Sequence, residues 1–501
     1  MTITNIQLPK ALAGGALLLV FTIFAFAASN EILHWVLAGS LALIFGLYLF
    51  KHYEQAVIFF VAVFYSNAAV IAYQFHGVPQ IVAGAVPLLL GLPLAHTIFV
   101  RREGLIFDRV LLLMLGFLAA LILATLGAKD IFIGLEEIAN YLLEGIVLYF
   151  LLLNVIRTAA TWQRVVWTLL LVCSLLGALS VFQELSNTYD NSYWGFAQRK
   201  KTIDFEELDY EEYSGAKRAE GPVGEQNRYA QIMVVVAPLA LYLFLTETSR
   251  KRKFYALAAG CLTMCGVLLT FSRGTFLALG VAFLLAVAWG YLRPRHALLG
   301  GLVSLFAVMI ALPDYLDRIV GLVDLTKLQN VGSETRSLDG SLRGRFAQNM
   351  AAMHVFMDYP VFGVGPAHFS KFYVLKYGNE IGTKRLRGAR RAHNMYLETA
   401  ANMGLFGLGA FLTVVIYVMF KLWQARQRFL SHRADLANLA TTLMLSLVLY
   451  LSTAIFLHLS YQRYYWFLLA LAGSALQLLG RENTTPPQVR AAAEAPVAIG
   501  A

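Results

Sequence analysis

The chain is poor in cysteine, with three among its 501 residues. Cys173, Cys261 and Cys265 all lie inside long apolar stretches, where a thiol packs as a small hydrophobic side chain. Isolated cysteines in such places argue against a disulfide framework and against a metal site, because both need grouped side chains. We therefore predict a fold without disulfides and a function without a bound metal.

Charge is also scarce, since charged residues make up 14% of the sequence and hydrophobic residues 58%, with a mean hydropathy of +0.63. About fourteen apolar stretches are each close to the ~20 residues that cross a bilayer as a helix. They run over 11–28, 32–50, 55–75, 80–99, 109–127, 138–156, 165–184, 229–246, 254–271, 275–292, 297–312, 403–423, 436–457 and 464–480. The pattern predicts an all-α, polytopic integral membrane helix bundle with about 12–14 transmembrane helices.

Acidic residues are fewer than basic ones, 30 against 40, which gives a net charge of +10. Basic residues in short loops resist translocation and mark the cytoplasmic side of a membrane. Every second loop carries them: Lys51; Arg101, Arg102 and Arg109; Arg157 and Arg164; Arg250, Lys251, Arg252 and Lys253; Arg293 and Arg295; and Lys421, Arg426, Arg428 and Arg433. The alternation predicts that these loops and both termini are cytoplasmic. Anionic lipid explains the charge, so we expect no nucleic-acid partner.

The same alternation divides the chain into six regions. No small-residue cleavage site followed by a soluble domain comes after the first stretch, so we expect it to remain as a span. The predicted regions are N-terminal transmembrane helices at 1–184, a first extracytoplasmic loop at 185–228, transmembrane helices with a Ser-Arg-Gly turn at 229–312, a large extracytoplasmic loop at 313–392, C-terminal transmembrane helices at 393–480 and a disordered cytoplasmic tail at 481–501.

Arg273 is the only charged residue in the 37 residues from Ala256 to Leu292. As one helix this run would be about 55 Å long, against a hydrocarbon core of ~30 Å. It must therefore fold back, and the Ser-Arg-Gly sequence at Ser272–Gly274 is the natural break. The fold-back places the guanidinium at the extracytoplasmic surface of the membrane, where an ionisable group suggests a functional site.

Basic residues also crowd the second long loop, on the side that the positive-inside bias does not explain. They are Arg336, Arg343, Arg345, Lys371, Lys376, Lys384, Arg385, Arg387, Arg390 and Arg391. Arginine offers paired donors in a rigid fork that suits phosphate oxygens, so a surface for phosphates or acidic sugars is one interpretation. Contact with membrane lipid headgroups is the other. Both stay open on the sequence alone.

Three short motifs then occur in order. They are Thr270-Phe271-Ser272-Arg273-Gly274, a turn at Pro360-Val361-Phe362-Gly363-Val364-Gly365, and Ala392-His393-Asn394-Met395-Tyr396-Leu397 followed by Gly404-Leu405-Phe406-Gly407-Leu408. Together, on a polytopic chain, they resemble the O-antigen ligase and O-antigen polymerase superfamily of GT-C-like membrane glycosyltransferases. The resemblance implies transfer of a glycan from an undecaprenyl-pyrophosphate carrier at the periplasmic face of the bacterial inner membrane, without a nucleotide sugar, metal or other cofactor.

The resemblance also implies roles for particular residues. Arg218 and Arg273 match the family's arginines, whose guanidiniums would stabilise charge developing on the pyrophosphate leaving group. His393 matches the histidine of the family's His-Asn pair, and an imidazole, with an ordinary pKa near ~6.5, suits a general base for the acceptor hydroxyl. We also expect contacts to pyrophosphate or glycan from further residues, namely Arg343, Arg345, Arg391 and Asn394.

The acceptor stays open because the shared motifs concern the donor. In a ligase it is lipid A–core, in a polymerase a second carrier-linked glycan, and in other relatives a protein. A transporter of lipid-linked glycan is the alternative of a different class. Such a protein favours internal repeats and ionisable groups near mid-membrane. The sequence shows no convincing repeat, and Glu144 is the main acidic residue deep in a span, where a packing role is the simpler interpretation.

Overall fold

A computed structural model describes residues 44, 46–84, 86–198, 217–295, 298, 301, 336–380, 391–457 and 462–484. Within these ranges the chain is helical and contains no β-strand. The main helices are Tyr53–Tyr65, Ala68–His76, Arg109–Leu126, Ile131–Val155, Ala159–Ser186, Gln226–Val234, Ala237–Thr246, Arg250–Leu268, Arg273–Ala288, Arg336–Asp358, Val374–Glu380, Met395–Phe429, Ala434–Thr453 and Gln462–Thr484. The predicted all-α class is confirmed.

Six helices among the described residues are long and apolar enough to cross a membrane. A seventh span is possible if the helices Tyr53–Tyr65 and Ala68–His76, bent by 55° at their break, count as one. The protein is therefore a multi-pass helical membrane protein. Eleven of the predicted apolar stretches coincide with helices or short helical segments. The other three, 11–28, 32–50 and 297–312, lie wholly or mostly outside the described residues.

The basic loops gather at one end of the bundle, which we call the basic end. Ion pairs join them there: Arg157 with Glu103 at 3.0 Å, Arg164 with Glu54, Arg252 with Glu247 at 3.6 Å, and Arg433 with Glu482 at 3.5 Å. The opposite end, which we call the site end, holds the helix termini and turns around 65–77, 127–131, 217–226, 269–274, 360–369 and 391–404. This separation is what the alternation of loop charge requires.

Small residues allow the helices to approach closely. Gly177, on the helix Ala159–Ser186, lies against the backbone of Arg250–Leu268, where a Cβ at Gly177 would overlap the carbonyl oxygen of Leu262. A Cβ at Gly266 would likewise lie 2.8 Å from the Cα of Gly177. Such glycine contacts are typical of helix pairs in membranes, where packing rather than water exclusion drives association.

The large loop predicted at 313–392 contains helices of its own, Arg336–Asp358 and Val374–Glu380. These pack a second, smaller core against the start of the Met395–Phe429 helix, with Ala351, Val355, Phe369 and Ala401 at its centre. Residues 313–335 and 381–390 of that loop, and the predicted tail beyond 484, lie outside the described residues. The described part of the large loop thus packs against the helix bundle.

Candidate active site

The predicted fold-back at the Ser-Arg-Gly sequence is present in the structure. One helix ends at Leu268 and the next begins at Arg273. Between them Phe271 adopts a left-handed conformation with φ +51°. The Thr270 side chain fixes the turn, because its Oγ1 donates to the carbonyl oxygen of Val267 at 2.7 Å and accepts from the backbone N–H of Ser272 at 3.3 Å. Arg273 therefore stands at the first position of a helix at the site end.

Arg218 lies on this same turn. Its Nε donates to the carbonyl oxygen of Thr270 at 2.7 Å, and its Nη2 donates to that of Phe271 at 3.2 Å. The next residue, Ala219, donates its backbone N–H to the carbonyl oxygen of Leu269 at 3.0 Å. The structure thus brings two of the three predicted catalytic residues to one turn, although they are far apart in the chain.

A third arginine, Arg228, is buried close by and received no role from the sequence. It is 1% exposed, and its Nη1 donates to Oε1 of Gln231 at 2.7 Å. It also bonds the hydroxyl of Tyr450. Gln231 in turn donates to the carbonyl oxygen of Tyr450 at 3.2 Å and to Oγ1 of Thr453 at 2.9 Å. A buried guanidinium is therefore tied to the last turn of the Ala434–Thr453 helix.

His393 stands at a helix entrance, as predicted, and its backbone is held on both sides. Before it, the backbone N–H of Ala392 donates to Oε2 of Glu398 at 3.1 Å. After it, Oδ1 of Asn394 accepts from the backbone N–H groups of Tyr396 and Leu397 at 3.0 and 3.1 Å. His393 itself has φ +49°, in the left-handed region. Two side chains thus hold a backbone conformation that is uncommon for residues other than glycine.

Glu398 lies near His393. After Arg228, it is the second ionisable residue of the site that received no role from the sequence. Its carboxylate is 8% exposed and lies 3.6 Å from Nη1 of Arg391. The positive charge of Arg228 also acts on it. A buried carboxylate needs partners of this kind to stay in place. Glu398 directly follows the Ala392–Leu397 motif, and its spacing to His393 within the first helical turns was the available signal.

The two halves of the site meet at the end of one helix. Tyr396 donates its hydroxyl to the carbonyl oxygen of Leu451 at 2.9 Å. On the other side, a Cβ at Gly274 would lie 2.7 Å from the ring of Phe456. The Arg273 turn and the His393 helix entrance therefore both pack against the segment from Leu451 to Phe456, and so belong to one region of the site end.

A cavity opens between the helices Arg109–Leu126, Ile131–Val155 and Met395–Phe429. Its lining contains two carboxylates, one guanidinium, two amides and two hydroxyls, together with apolar side chains. The residues are Phe117, Leu121, Glu137, Tyr141, Pro366, Ala367, Arg391, Glu398, Thr399, Asn402, Met403 and Gln462. Within the described ranges no group of three or more potential ligands could hold a metal ion.

The remaining predicted contact residues fall in different places. Arg391 lines the cavity and pairs with Glu398. Asn394 is the N-cap of the Met395–Phe429 helix, which gives its side-chain oxygen a structural task. Arg345 is half-buried on the Arg336–Asp358 helix, and the side chain of Arg343 lies outside the described residues. Their roles in binding remain predictions.

Glu144, the acidic residue deep in a predicted span, lies 3.8 Å from Nη1 of Arg463. Arg463 also donates to Oδ1 of Asn67 at 2.5 Å, and Asn67 donates to the carbonyl oxygen of Pro222 at 2.7 Å. The chain of contacts ends next to the segment that carries Arg218. Glu144 therefore belongs to a structural network that ties several helices together at the site end.

The chain is similar to known proteins over part of its length. Residues 257–412 match a family model described as O-Antigen ligase, a range that contains the Arg273 turn and His393 and leaves Arg218 outside. The chain is also similar to the teichuronic acid biosynthesis protein TuaE of Bacillus subtilis (strain 168), at 25% identity over 278 residues, which are 52% of each protein. The chain thus spans about half the length of the curated relative it matches. The predicted resemblance to the O-antigen ligase and polymerase superfamily is confirmed, and the family match lies at residues 257–412.

Proposed function

We propose that this protein is a membrane glycosyltransferase that moves a glycan from undecaprenyl pyrophosphate to an acceptor at the periplasmic face of the inner membrane, in the manner of an O-antigen ligase. One observation carries the proposal: Arg218 and Arg273 share a turn, which packs against the same helix end as the His393 entrance. A candidate anion-binding turn and a candidate base therefore meet in one region. Arg273 and His393 fall within the segment that matches the ligase family, and Arg218 precedes it.

The Arg273 turn has the chemistry of a pyrophosphate site. A helix N-terminus carries a partial positive charge and points backbone N–H groups outward. The Ser272 side chain does not cap the helix that starts at Arg273. The bonds from Arg218 to the carbonyl oxygens of Thr270 and Phe271 place its guanidinium at the same point. Fixed positive groups of this kind stabilise the charge that develops on a leaving pyrophosphate.

His393 has the chemistry of the general base. The acceptor hydroxyl oxygen attacks the anomeric carbon of the donor sugar, the bond from that carbon to the pyrophosphate oxygen breaks, and the hydroxyl proton passes to the imidazole. The carrier pyrophosphate leaves with the bonding electrons. Attack from the face opposite the pyrophosphate inverts the anomeric centre. The hydrogen bonds that Glu398 and Asn394 accept fix the backbone around His393. Correct positioning of a base contributes a large factor to the reaction rate.

The test is glycan analysis of a strain in which the gene is deleted in its natural host and then restored on a plasmid. If the protein is a ligase, the deletion strain should lose polymer from lipid A–core and accumulate long carrier-linked chains. Accumulation of single carrier-linked repeat units instead identifies a polymerase of the same superfamily. Restoration by the wild type and not by His393→Ala supports transfer. Carrier-linked glycan that is retained on the cytoplasmic side contradicts the proposal and favours a transporter.

A further inference from the structure

The cavity beside His393 is built from different elements than the Arg273 turn. Its walls come from the helices Arg109–Leu126 and Ile131–Val155, the start of Met395–Phe429, and the turn at Pro366. Arg218 and Arg273 do not line it. A second ligand group can therefore bind here while the arginine turn is occupied.

The polar part of the lining suits a ligand with several hydroxyl groups. Glu137 and Glu398 offer carboxylate acceptors, Asn402 and Gln462 offer amides that both donate and accept, and Thr399 offers a hydroxyl. We propose that this cavity binds a sugar residue, and that this sugar belongs to the acceptor molecule. The assignment to the acceptor rests on the proposed function, whereas the binding of a sugar does not.

The charge of the cavity favours a sugar over a phosphate. Two carboxylates line it against one guanidinium, and that guanidinium, on Arg391, already faces Glu398 at 3.6 Å. The one guanidinium that lines the cavity thus already faces a carboxylate, whereas the Arg273 turn offers fixed positive groups to a phosphate. Anionic and uncharged parts of a substrate are thus sorted between two neighbouring sites.

The apolar part of the lining is rigidly packed. Phe117 and Tyr141 pack edge to face, with ring centroids 5.1 Å apart, and both are 1% exposed. The Tyr141 hydroxyl donates to the carbonyl oxygen of Met114 at 2.9 Å, which fixes the ring. Apolar walls with a few convergent polar groups are the usual construction of a small-ligand site.

The location connects the cavity to the chemistry. Arg391 and Glu398 line it, and the residues between them include His393. Glu398 also accepts the backbone N–H of Ala392, directly before the histidine. A sugar in the cavity therefore presents its hydroxyls next to the segment that carries the proposed base.

The experiment measures binding without turnover, on full-length protein in lipid nanodiscs. The probes are methyl glycosides of common hexoses, N-acetylhexosamines and 6-deoxyhexoses, detected by saturation-transfer NMR, and inorganic pyrophosphate, detected by calorimetry. The variants are Glu137→Gln and Thr399→Val, which keep side-chain shape. The matched control is Glu136→Gln, because Glu136 is an exposed neighbour that does not line the cavity.

We expect at least one glycoside to bind the wild type, and Glu137→Gln to weaken that binding by about tenfold, since a lost hydrogen bond to a charged group costs roughly that much. Thr399→Val should weaken it as well, Glu136→Gln should not, and pyrophosphate binding should be the same in all four proteins. No glycoside binding by the wild type, or equal binding by the Glu137 and Glu136 variants, would overturn the sugar site. Glycoside binding as expected, in a protein that transfers no glycan, would leave the sugar site standing and refute the proposed function.

Discussion

Phe271 and His393 both have left-handed backbone conformations, at φ +51° and +49°. Residues other than glycine adopt this region at a cost of about 1–3 kcal/mol, and do so where surrounding contacts enforce it. Here the contacts are visible. Arg218 holds the carbonyl of Phe271, and the bond from Ala392 to Glu398 holds the residue before His393. Both strained residues lie in or beside the motifs that suggested a function.

The first prediction concerns the arginine fork. Arg273→Lys keeps the charge and loses the paired donors, so transfer should fall by more than the tenfold that corresponds to ~1.4 kcal/mol. Transfer by Arg218→Lys should fall similarly, because lysine lacks the rigid planar fork whose Nε and Nη2 donate to the Thr270 and Phe271 carbonyls. The control is Arg252→Lys, an exposed residue at the basic end. Transfer assays on purified, correctly folded protein measure the effect, and near-normal rates for Arg273→Lys would exclude a fork-dependent role.

The second prediction concerns Glu398 as a positioning residue. Glu398→Gln keeps an oxygen that can accept from Ala392 and loses the ion pair with Arg391, whereas Glu398→Ala loses both. We expect turnover to fall about tenfold in the glutamine variant and further in the alanine variant. Misplacing a base lowers the turnover more than it lowers the substrate affinity. Pyrophosphate affinity should change little. Equal turnover for wild type and Glu398→Ala would show that the clamp on His393 is dispensable.

At the scale of elements, the Met395–Phe429 helix is broken at Gly404, where φ is +63° and ψ −163°. The turn that begins at Pro360 fills the break. Leu405 donates its backbone N–H to the carbonyl oxygen of Pro360 at 2.8 Å, and Gly365 donates to that of Asn402 at 2.9 Å. Two motifs that are separate in the sequence thus form one structural unit. This unit docks the large loop onto the bundle and sets one wall of the cavity.

The third prediction tests this unit. Gly404→Ala should destabilise the protein by about 1–3 kcal/mol, because this backbone region is almost exclusive to glycine and a Cβ would overlap the carbonyl of Val361. Gly409→Ala, on the same helix with nothing within 4 Å of its Cβ position, should be neutral or slightly stabilising. Thermal unfolding in detergent compares the two. Equal melting temperatures would contradict the account of the break.

Sequence reasoning predicted the features that depend on local pattern. The fold-back at Arg273 followed from the length of an apolar run, and the helix entrance at His393 followed from the order of residues around Asn394. It missed the features that depend on distant partners. Nothing near Arg218 in the chain specifies its bonds to the Thr270 turn, and the break at Gly404 exists because the Pro360 turn supplies its hydrogen bonds. Buried Arg228 could have been suspected as an ionisable residue at the start of an apolar span.

At the scale of the whole molecule, the bundle has two chemically different ends. The basic end collects the short basic loops in ion pairs, and the site end holds the broken helices, the left-handed Phe271 and His393, and the cavity. Positive loop charge marks the cytoplasmic side of a bilayer. The arrangement therefore predicts that the site end faces the periplasm.

The fourth prediction tests this orientation. In a variant whose natural cysteines are replaced, Ser192→Cys at the site end should react with an impermeant thiol reagent added outside the membrane. Ser249→Cys, which precedes the basic Arg250–Leu268 helix, should react only after the membrane is opened. The reverse pattern would place the site in the cytoplasm and would remove the periplasmic acceptor from the account.

Glycan transfer by purified protein is the most direct test of the central claim that His393 accepts the acceptor proton while arginines hold the donor. The assay uses nanodiscs, a carrier-linked donor and a defined acceptor, with donor binding measured in parallel and EDTA present. We predict that His393→Ala and His393→Gln lower transfer by about 10²–10⁴-fold and leave donor binding within about twofold, because the pyrophosphate is held at the Arg273 turn. Unchanged transfer in both variants would contradict the account.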